Sequence, residues 1–149
     1  MSLDLQIRPY TPEDKSRLLS IWRAASEIGH PFFSNDQLNE QQKVVGEVYL
    51  PQAETFVAEH DDAPVGFIGM LGHFIGGLFV APEAHGQGIG RALVTYVLER
   101  NRALELDVYA LNETAIGFYR RLGFVEVERR STDDNNQPFE VIRLRIDTE

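Results

Sequence analysis

The sequence predicts a single α+β domain built on a mixed sheet, and three observations predict it. Apolar runs of strand length alternate with segments in which apolar residues recur at helical spacing. Turn residues separate some neighbouring strands closely enough for hairpins. The inferred order is strand, two helices, three strands, helix, strand, helix and two strands, which is typical of a mixed sheet flanked by helices. A chain of 149 residues is expected to form one domain, residues 1–149.

The first 30 residues predict a strand and a helix. Residues 5–9 alternate like a short strand that a proline ends. Thr11-Pro12-Glu13-Asp14 then predicts a helix start, because threonine caps, proline suits the first helical position and acids favour the first turn. The expected apolar stripe of this helix, in which Trp22 is interpreted as core rather than ligand contact, consists of Leu18, Ile21, Trp22 and Ala25.

A second helix is expected after the break at residues 29–33. It should begin at Ser34 or Asn35 and end at Pro51. Its expected apolar face consists of Leu38, Val44, Val45 and Val48.

Three strands are expected in the middle of the chain. Residues 55–59 and 64–71 form a hairpin around the turn at residues 61–63. Residues 74–80 form the next strand, in which Gly76-Gly77 predicts a bulge or a close ligand approach.

The remaining elements alternate helix and strand before a last hairpin. The helix after residue 88 has Ile89, Leu93 and Val97 on its core face, with Tyr96 beside them. A strand over residues 104–110 leads to a helix that Asn112 caps and that a left-handed Gly123 ends. Strands over residues 124–130 and 139–146 follow, joined by a polar loop.

Composition excludes several functional classes. The chain has no cysteine, so disulfides, thiolate metal sites and a cysteine acyl-enzyme are excluded. Its four histidines lack ligand-like spacing, so no metal is expected. The formal net charge of −9 disfavours nucleic acid and favours either a cationic partner such as an amine or simply solubility. Without a signal peptide or a membrane-spanning apolar run, a cytoplasmic location without membrane contact is expected.

The most informative segment is the strand, loop and helix over residues 78–93. The three alternating glycines Gly86, Gly88 and Gly90 precede or open a helix, where bare backbone N–H groups and the helix dipole favour an anionic phosphate. A dinucleotide fingerprint fits poorly, because Arg91 occupies the position of its third glycine. A Walker loop is absent, because no Gly-Lys-Ser/Thr sequence ends the segment.

Two motifs resemble the GNAT superfamily of N-acetyltransferases, in particular its small bacterial members. In the coenzyme A pyrophosphate loop of that family, Arg or Gln precedes two free positions, Gly, one free position and Gly or Ala. Here Gly88 and Gly90 match, and His85 replaces the Arg or Gln. The segment from Asn112 to Phe124 resembles the family's Asn-x-x-Ala-x-x-Phe-Tyr-x-x-x-Gly-Phe motif at every defined position. The resemblance extends over nearly the whole chain.

The resemblance implies the GNAT fold, a mixed, mostly antiparallel splayed sheet flanked by helices, with acetyl-CoA as cosubstrate. The pantetheine arm would lie along Leu78, Phe79 and Val80, in the gap beside the splayed strand. Asn112 would contact the coenzyme arm or act only as a helix cap, and Arg91 would add charge or only cover the helix surface. The remaining coenzyme-binding loop, whose last five residues would hold the pyrophosphate, consists of His85, Gly86, Gln87, Gly88, Ile89, Gly90 and Arg91.

The resemblance also implies a catalytic residue. Tyr119 matches the family's general acid for the departing thiolate and would also contact the coenzyme. An acceptor amine with a pKa of about 10.4 must lose a proton, and the strand beside the gap carries no carboxylate to take it. His30, His73 or a water path could serve. Without cysteine, direct attack in a ternary complex is favoured.

The acceptor pocket is expected between the first helix–helix loop and the last hairpin. His30, Phe32 and Phe33 would line it, or would anchor the loop instead. The predicted function is therefore acetyl transfer from acetyl-CoA to a primary amine of a small molecule or peptide. The alternative is a non-catalytic regulatory module that binds coenzyme A or acyl-coenzyme A. A homodimer remains open, since no exposed stripe demands one.

Overall fold

The computed structural model describes residues 4–133 and 136–147, in which one seven-stranded sheet is flanked by helices. The strands are β1 (Gln6–Pro9), β2 (Glu54–His60), β3 (Ala63–Leu71), β4 (Phe74–Val80), β5 (Ala103–Tyr109), β6 (Val125–Arg130) and β7 (Val141–Asp147). The main helices are α1 (Lys15–Gly29), α2 (Asn35–Val44), α3 (Ile89–Leu98) and α4 (Glu113–Leu122). This element order confirms the predicted one.

The sheet is antiparallel except between two central strands. Its order is β1-β2-β3-β4-β5-β7-β6, and only β4 and β5 run parallel. Their pairing comprises two residue pairs, Phe74 opposite Glu105 and Ile75 opposite Leu106. Beyond these, residues 76–80 of β4 and 107–109 of β5 are unpaired with each other and line a gap, here called the opening. The mixed, mostly antiparallel splayed sheet is thus confirmed.

Helices cover both faces of the sheet. A Cβ placed on Gly66 of β3 would contact Ile89 and Leu93 of α3, whereas one placed on Gly69 would meet Tyr49, which follows α2. Because side chains alternate along a strand, α3 covers one face and the α1–α2 segment covers the other. Trp22 of α1 is 5 % exposed and belongs to the core. Within residues 4–133 and 136–147, no helix is long and apolar enough to span a bilayer.

The second helix departs from its expected pattern. After α2 the chain continues as a π-helical stretch, Val45–Tyr49, and a last turn, Leu50–Gln52, that contains the proline expected to end it. Leu38 is buried as predicted, but Val44 and Val48 are 51 % and 47 % exposed. The wider π turn rotates the following residues, so that Leu50 is 2 % exposed. The expected face was wrong at both valines. Val48 lies in the π-helical stretch, whereas Val44 lies in α2 itself, six residues and so about a third of a turn away from the face of Leu38.

The paired glycines of β4 form the predicted bulge. Gly77 lies opposite Gly69 and Ile75 lies opposite Met70, so Gly76 has no opposite residue on β3. The bulge immediately follows the last residue of β4 that pairs with β5, and it therefore marks the vertex of the opening.

Candidate active site

The glycine loop presents the first turn of α3 as an anion site. Gly86 and Gly88 have φ values of 79° and 82°, which L side chains rarely adopt. Gly88 is the N-cap of α3, and no side chain among residues 4–133 and 136–147 caps that helix. The N–H of Ala92 bonds to the carbonyl of Gly88 at 3.0 Å. The preceding N–H groups of the first turn have no intrahelical acceptor, and they point where the helix dipole is positive.

His85 ties this loop to the end of β4. Its Nε2 atom lies 3.0 Å from the carbonyl oxygen of Val80, and its side chain is otherwise exposed. The imidazole that replaces the family's Arg or Gln therefore has a structural contact in the loop.

The two sequence motifs meet in space. A Cβ placed on Gly90 would lie 3.2 Å from Cζ of Phe118 and 3.8 Å from Cδ2 of Leu78. Because Gly90 has no side chain, Phe118 of α4 can pack against the first turn of α3, close to Leu78 of β4. The glycine loop, the splayed strand and the Phe-Tyr pair of α4 lie side by side on the α3 face.

Asn112 caps α4. Its Oδ1 atom accepts a hydrogen bond of 3.2 Å from the N–H of Ala115, which confirms the capping interpretation. Gly123, with a φ of 111°, ends the helix in the left-handed region as predicted. A contact between Asn112 and the coenzyme stays a prediction.

Tyr119 is a buried phenol that lies between two phenylalanine rings. It is 7 % exposed, and its ring centroid lies 5.0 Å from that of Phe118 and 5.3 Å from that of Phe124. Burial raises the pKa of Tyr119 above its ordinary value of 10.0. The hydroxyl is therefore protonated at neutral pH, as a proton donor must be, although it is a weaker acid than a phenol in water.

An aromatic cluster joins the α1–α2 loop to the far end of β5. Its ring centroids lie 4.8 to 6.2 Å apart. Burial lowers the pKa of His30 to about 4, so its imidazole is neutral at pH 7. The loop and the hairpin predicted to form the acceptor pocket meet here. Phe33 is 6 % exposed and anchors the loop, and an acceptor pocket stays a prediction. The cluster consists of His30, Phe32, Phe33, Tyr109 and Phe139.

Hydrogen bonds fix the β6–β7 loop beside the aromatic cluster. The hydroxyl of Tyr109 donates to Oδ2 of Asp133 at 3.0 Å, and Oδ1 of Asp133 accepts from the N–H of Gln137 at 2.9 Å. Phe139, expected in the last strand, lies before β7 and packs into the cluster instead. The pairing of Tyr109 with Asp133 was not predicted, since no periodic pattern links residues 24 positions apart.

His73 lies on the closed side of the opening. It is exposed in the turn between β3 and β4, and its carbonyl accepts a 3.1 Å hydrogen bond from the N–H of Glu105. Two paired residues of β4 separate it from the vertex at Gly76. Its role as a base stays a prediction.

Two carboxylates that sequence reasoning missed lie on β5. Asp107 accepts hydrogen bonds from Arg143 at 2.8 Å and from Arg130 at 3.0 Å, and Glu105 accepts one from Arg145 at 2.6 Å. Burial alone would raise the pKa of Asp107, but the two arginines outweigh it and hold the pKa below its usual value. Both carboxylates share a strand face with Tyr109, a signal that the alternation of β5 contains.

A surface hollow of about 420 Å³ borders the glycine loop. Gly88 and the exposed Arg91 form one end of it, and Tyr96 and Glu99 lie farther along α3. The hollow extends the accessible surface around the uncapped helix start.

Comparisons with known proteins agree with this geometry. The model of the acetyltransferase (GNAT) domain matches residues 51–126, about half of the chain. The peptidyl-lysine N-acetyltransferase YjaB of Salmonella typhimurium is 36 % identical over 141 residues, which cover 94 % of this chain and 97 % of that protein. The peptidyl-lysine N-acetyltransferase YiaC of Escherichia coli is 35 % identical over 133 residues, covering 89 % and 91 %.

A solved structure shows the same fold. The solution structure of apo-form YjaB from Escherichia coli superposes with a TM-score of 0.89 at 33 % identity, covering 96 % of this chain and 97 % of that chain. With the domain match and relatives above 30 % identity over most of the sequence, the chain belongs to the GNAT family of acetyltransferases and is an N-acetyltransferase.

Proposed function

We propose that the protein transfers the acetyl group of acetyl-CoA to the side-chain amine of a peptide lysine, by direct attack in a ternary complex. The observation that carries the proposal is the opening between β4 and β5, with an uncapped helix start beside it. Two relatives named peptidyl-lysine N-acetyltransferases support the acceptor class. The formal net charge of −9 suits a cationic acceptor. A cytoplasmic location and a single domain over residues 1–149 remain predictions from the sequence.

The residues present fit the coenzyme. Beyond Ile75 the edge of β4 that faces β5 has no strand partner, so its backbone groups at residues 78–80 can bond to the amide-bearing pantetheine arm. The N–H groups at residues 87–91 can hold the pyrophosphate. Arg91 is exposed beside them and can add a charge-assisted contact.

The reaction requires two proton movements. A carbon–nitrogen bond forms as the neutral amine attacks the thioester carbonyl, and the carbon–sulfur bond breaks as the thiolate leaves. We assign Tyr119 the proton that the thiolate takes. Its buried hydroxyl is protonated at neutral pH, and its helix packs against the coenzyme loop through Phe118.

The proton of the acceptor amine goes to solvent in this proposal. A base is most effective when its pKa lies near the operating pH, and the pKa of about 4 makes His30 a weak one. His73 is exposed but lies beyond the paired end of the opening. Asp107 is occupied by two arginines. A chain of water molecules entering the opening needs none of these groups.

The alternative is a coenzyme A-binding module without catalysis. The absence of a carboxylate on β4 favours it. Thiol release from acetyl-CoA, measured with a lysine peptide, separates the two. We expect release with the wild type and a loss of about 10²–10⁴-fold in kcat for Tyr119→Phe, with unchanged acetyl-CoA affinity. Tight acetyl-CoA binding without transfer to any amine would support the module instead.

A further inference from the structure

Tyr49 is the last residue of a π-helical stretch, and its ring reaches the sheet. The π-helical stretch Val45–Tyr49 lies between α2 and the turn Leu50–Gln52. The ring of Tyr49 faces the sheet, whereas the neighbouring Val48 is exposed. Single π turns inside helices occur frequently at functional sites.

Two glycines on neighbouring strands make room for this ring. A Cβ placed on Gly69 of β3 or on Gly76 of β4 would overlap the Tyr49 hydroxyl. The ring carbons would also be too close, at 2.7 Å from the Gly69 position and 2.6 Å from the Gly76 position. Any other residue at either place would displace the phenol.

The hydroxyl of Tyr49 has no hydrogen-bond partner among residues 4–133 and 136–147, although it is buried. Buried polar groups are nearly always hydrogen-bonded, and an unsatisfied one costs free energy. Burial also raises the pKa of Tyr49, so the phenol is neutral and offers one O–H donor and free lone pairs. Gly76, which lies next to the Tyr49 hydroxyl, is exposed, so solvent reaches the backbone of Gly76.

The location of the hydroxyl is the vertex of the opening. Pairing between β4 and β5 ends at Ile75 and Leu106, and Gly76 is the next residue of β4. Tyr49 approaches this point from the face covered by α1 and α2. The glycine loop and Phe118 lie on the opposite face, with α3. A coenzyme held there leaves the α1–α2 face to the acceptor.

We infer that the Tyr49 hydroxyl receives the amino group of the acceptor at the vertex of the opening, accepting a hydrogen bond from its N–H and orienting its nitrogen. This inference rests on the proposed acetyl transfer to a lysine-type amine. It assigns a substrate-binding residue that no motif of the sequence indicates. The two glycines are then the means by which the fold makes room for the phenol at that point.

Tyr49→Phe tests the inference, because it removes only the hydroxyl and keeps the ring. A lysine peptide is titrated calorimetrically into protein saturated with coenzyme A, and kcat/KM for the peptide is measured with acetyl-CoA. We expect both the affinity for the peptide and kcat/KM to fall about tenfold. Acetyl-CoA affinity should stay unchanged, and Tm should stay equal or rise, since an unsatisfied hydroxyl is removed. Tyr10→Phe, far from the opening, is the matched control and should change none of these.

Two outcomes would overturn the inference. In an active wild type, unchanged peptide affinity and kcat/KM in Tyr49→Phe would overturn it while leaving the proposed function intact. A lower Tm with equal losses of peptide and acetyl-CoA affinity would reduce Tyr49 to a packing role. If the wild type neither binds nor acetylates a lysine peptide, an N-terminal amine or a polyamine, the proposed function fails and the inference fails with it.

Discussion

The Nε2 atom of His85 lies 3.0 Å from the carbonyl oxygen of Val80, so the imidazole links the glycine loop to the last residue of β4. Because a carbonyl oxygen can only accept a hydrogen bond, the Nε2 atom of His85 must carry the hydrogen. We expect His85→Ala to loosen the loop and weaken acetyl-CoA binding about three- to tenfold, the worth of one hydrogen bond. Calorimetric titration measures the change.

His60→Ala provides the control for that measurement. His60 lies at the end of β2, which β3 separates from β4, and its side chain contacts Asp61 and the carbonyl of Asp4. Its loss should leave acetyl-CoA affinity unchanged. Equal acetyl-CoA affinity in His85→Ala and the wild type would mean that backbone groups alone hold the loop in its binding conformation.

The conformation of Gly88 predicts a coupled effect on stability and binding. Its φ of 82° is strained for alanine, although no atom lies within 4 Å of the added Cβ position. Gly88→Ala should cost about 1 kcal/mol of unfolding free energy and should disturb the first turn of α3, weakening acetyl-CoA binding. Gly72→Ala is matched in strain and open space, with a φ of 65°, but lies in the β3–β4 turn. We expect both variants to lose similar amounts of unfolding free energy, and only Gly88→Ala to lose acetyl-CoA affinity.

His30 should make stability depend on pH. Its folded pKa of about 4 lies below the ordinary 6.5, so the unfolded chain binds more protons between these values. The stabilisation is therefore complete above pH 6.5 and is lost as pH falls toward 4. We expect the wild type to lose about 1–2 kcal/mol more than His30→Phe between pH 7 and pH 5, measured by denaturant unfolding. If the unfolding free energies of the wild type and His30→Phe changed equally with pH, the His30 imidazole would be in contact with water in the folded protein.

The same pKa bears on catalysis. If His30 removed the acceptor proton, the rate would show an acid limb near pH 4 rather than near 6.5. A limb near 6.5 that survives in His30→Phe would identify a different group.

Local signals predicted much of the fold and of the helix ends and the bulge around the candidate site. Asn112 and Gly123 bound α4 as expected because capping and left-handed residues act on their immediate neighbours. The Gly76-Gly77 pair predicted the bulge for the same reason, since a glycine pair interrupts a strand locally. The order of elements followed from apolar periodicity, which each segment carries by itself.

Features that depend on distant contacts could not be predicted. The π-helical stretch at Val45–Tyr49 is a departure from the regular period, and Val48 within it is exposed rather than on the expected apolar face. The pairing of Tyr109 with Asp133 joins the end of β5 to the β6–β7 loop, and only the folded sheet brings the two together. The position of Tyr49 could not be predicted, because the two glycines that contact its ring lie 20 and 27 residues later in the chain, on β3 and β4.

The packing of Tyr49 against Gly69 predicts a measurable coupling. Gly69→Ala should cost about 1–3 kcal/mol of unfolding free energy, because the new methyl group overlaps a ring that the surrounding core holds. In a Tyr49→Leu background the shorter side chain leaves that space open, and the same substitution should cost at least about 1 kcal/mol less. Gly66→Ala on the same strand points to α3 and meets the carbonyl oxygen of Phe79, so its cost should be the same in both backgrounds. Additive costs for Gly69→Ala and Tyr49→Leu would show that the ring can move aside, whereas coupling confined to Gly69 would fix the phenol at the vertex of the opening.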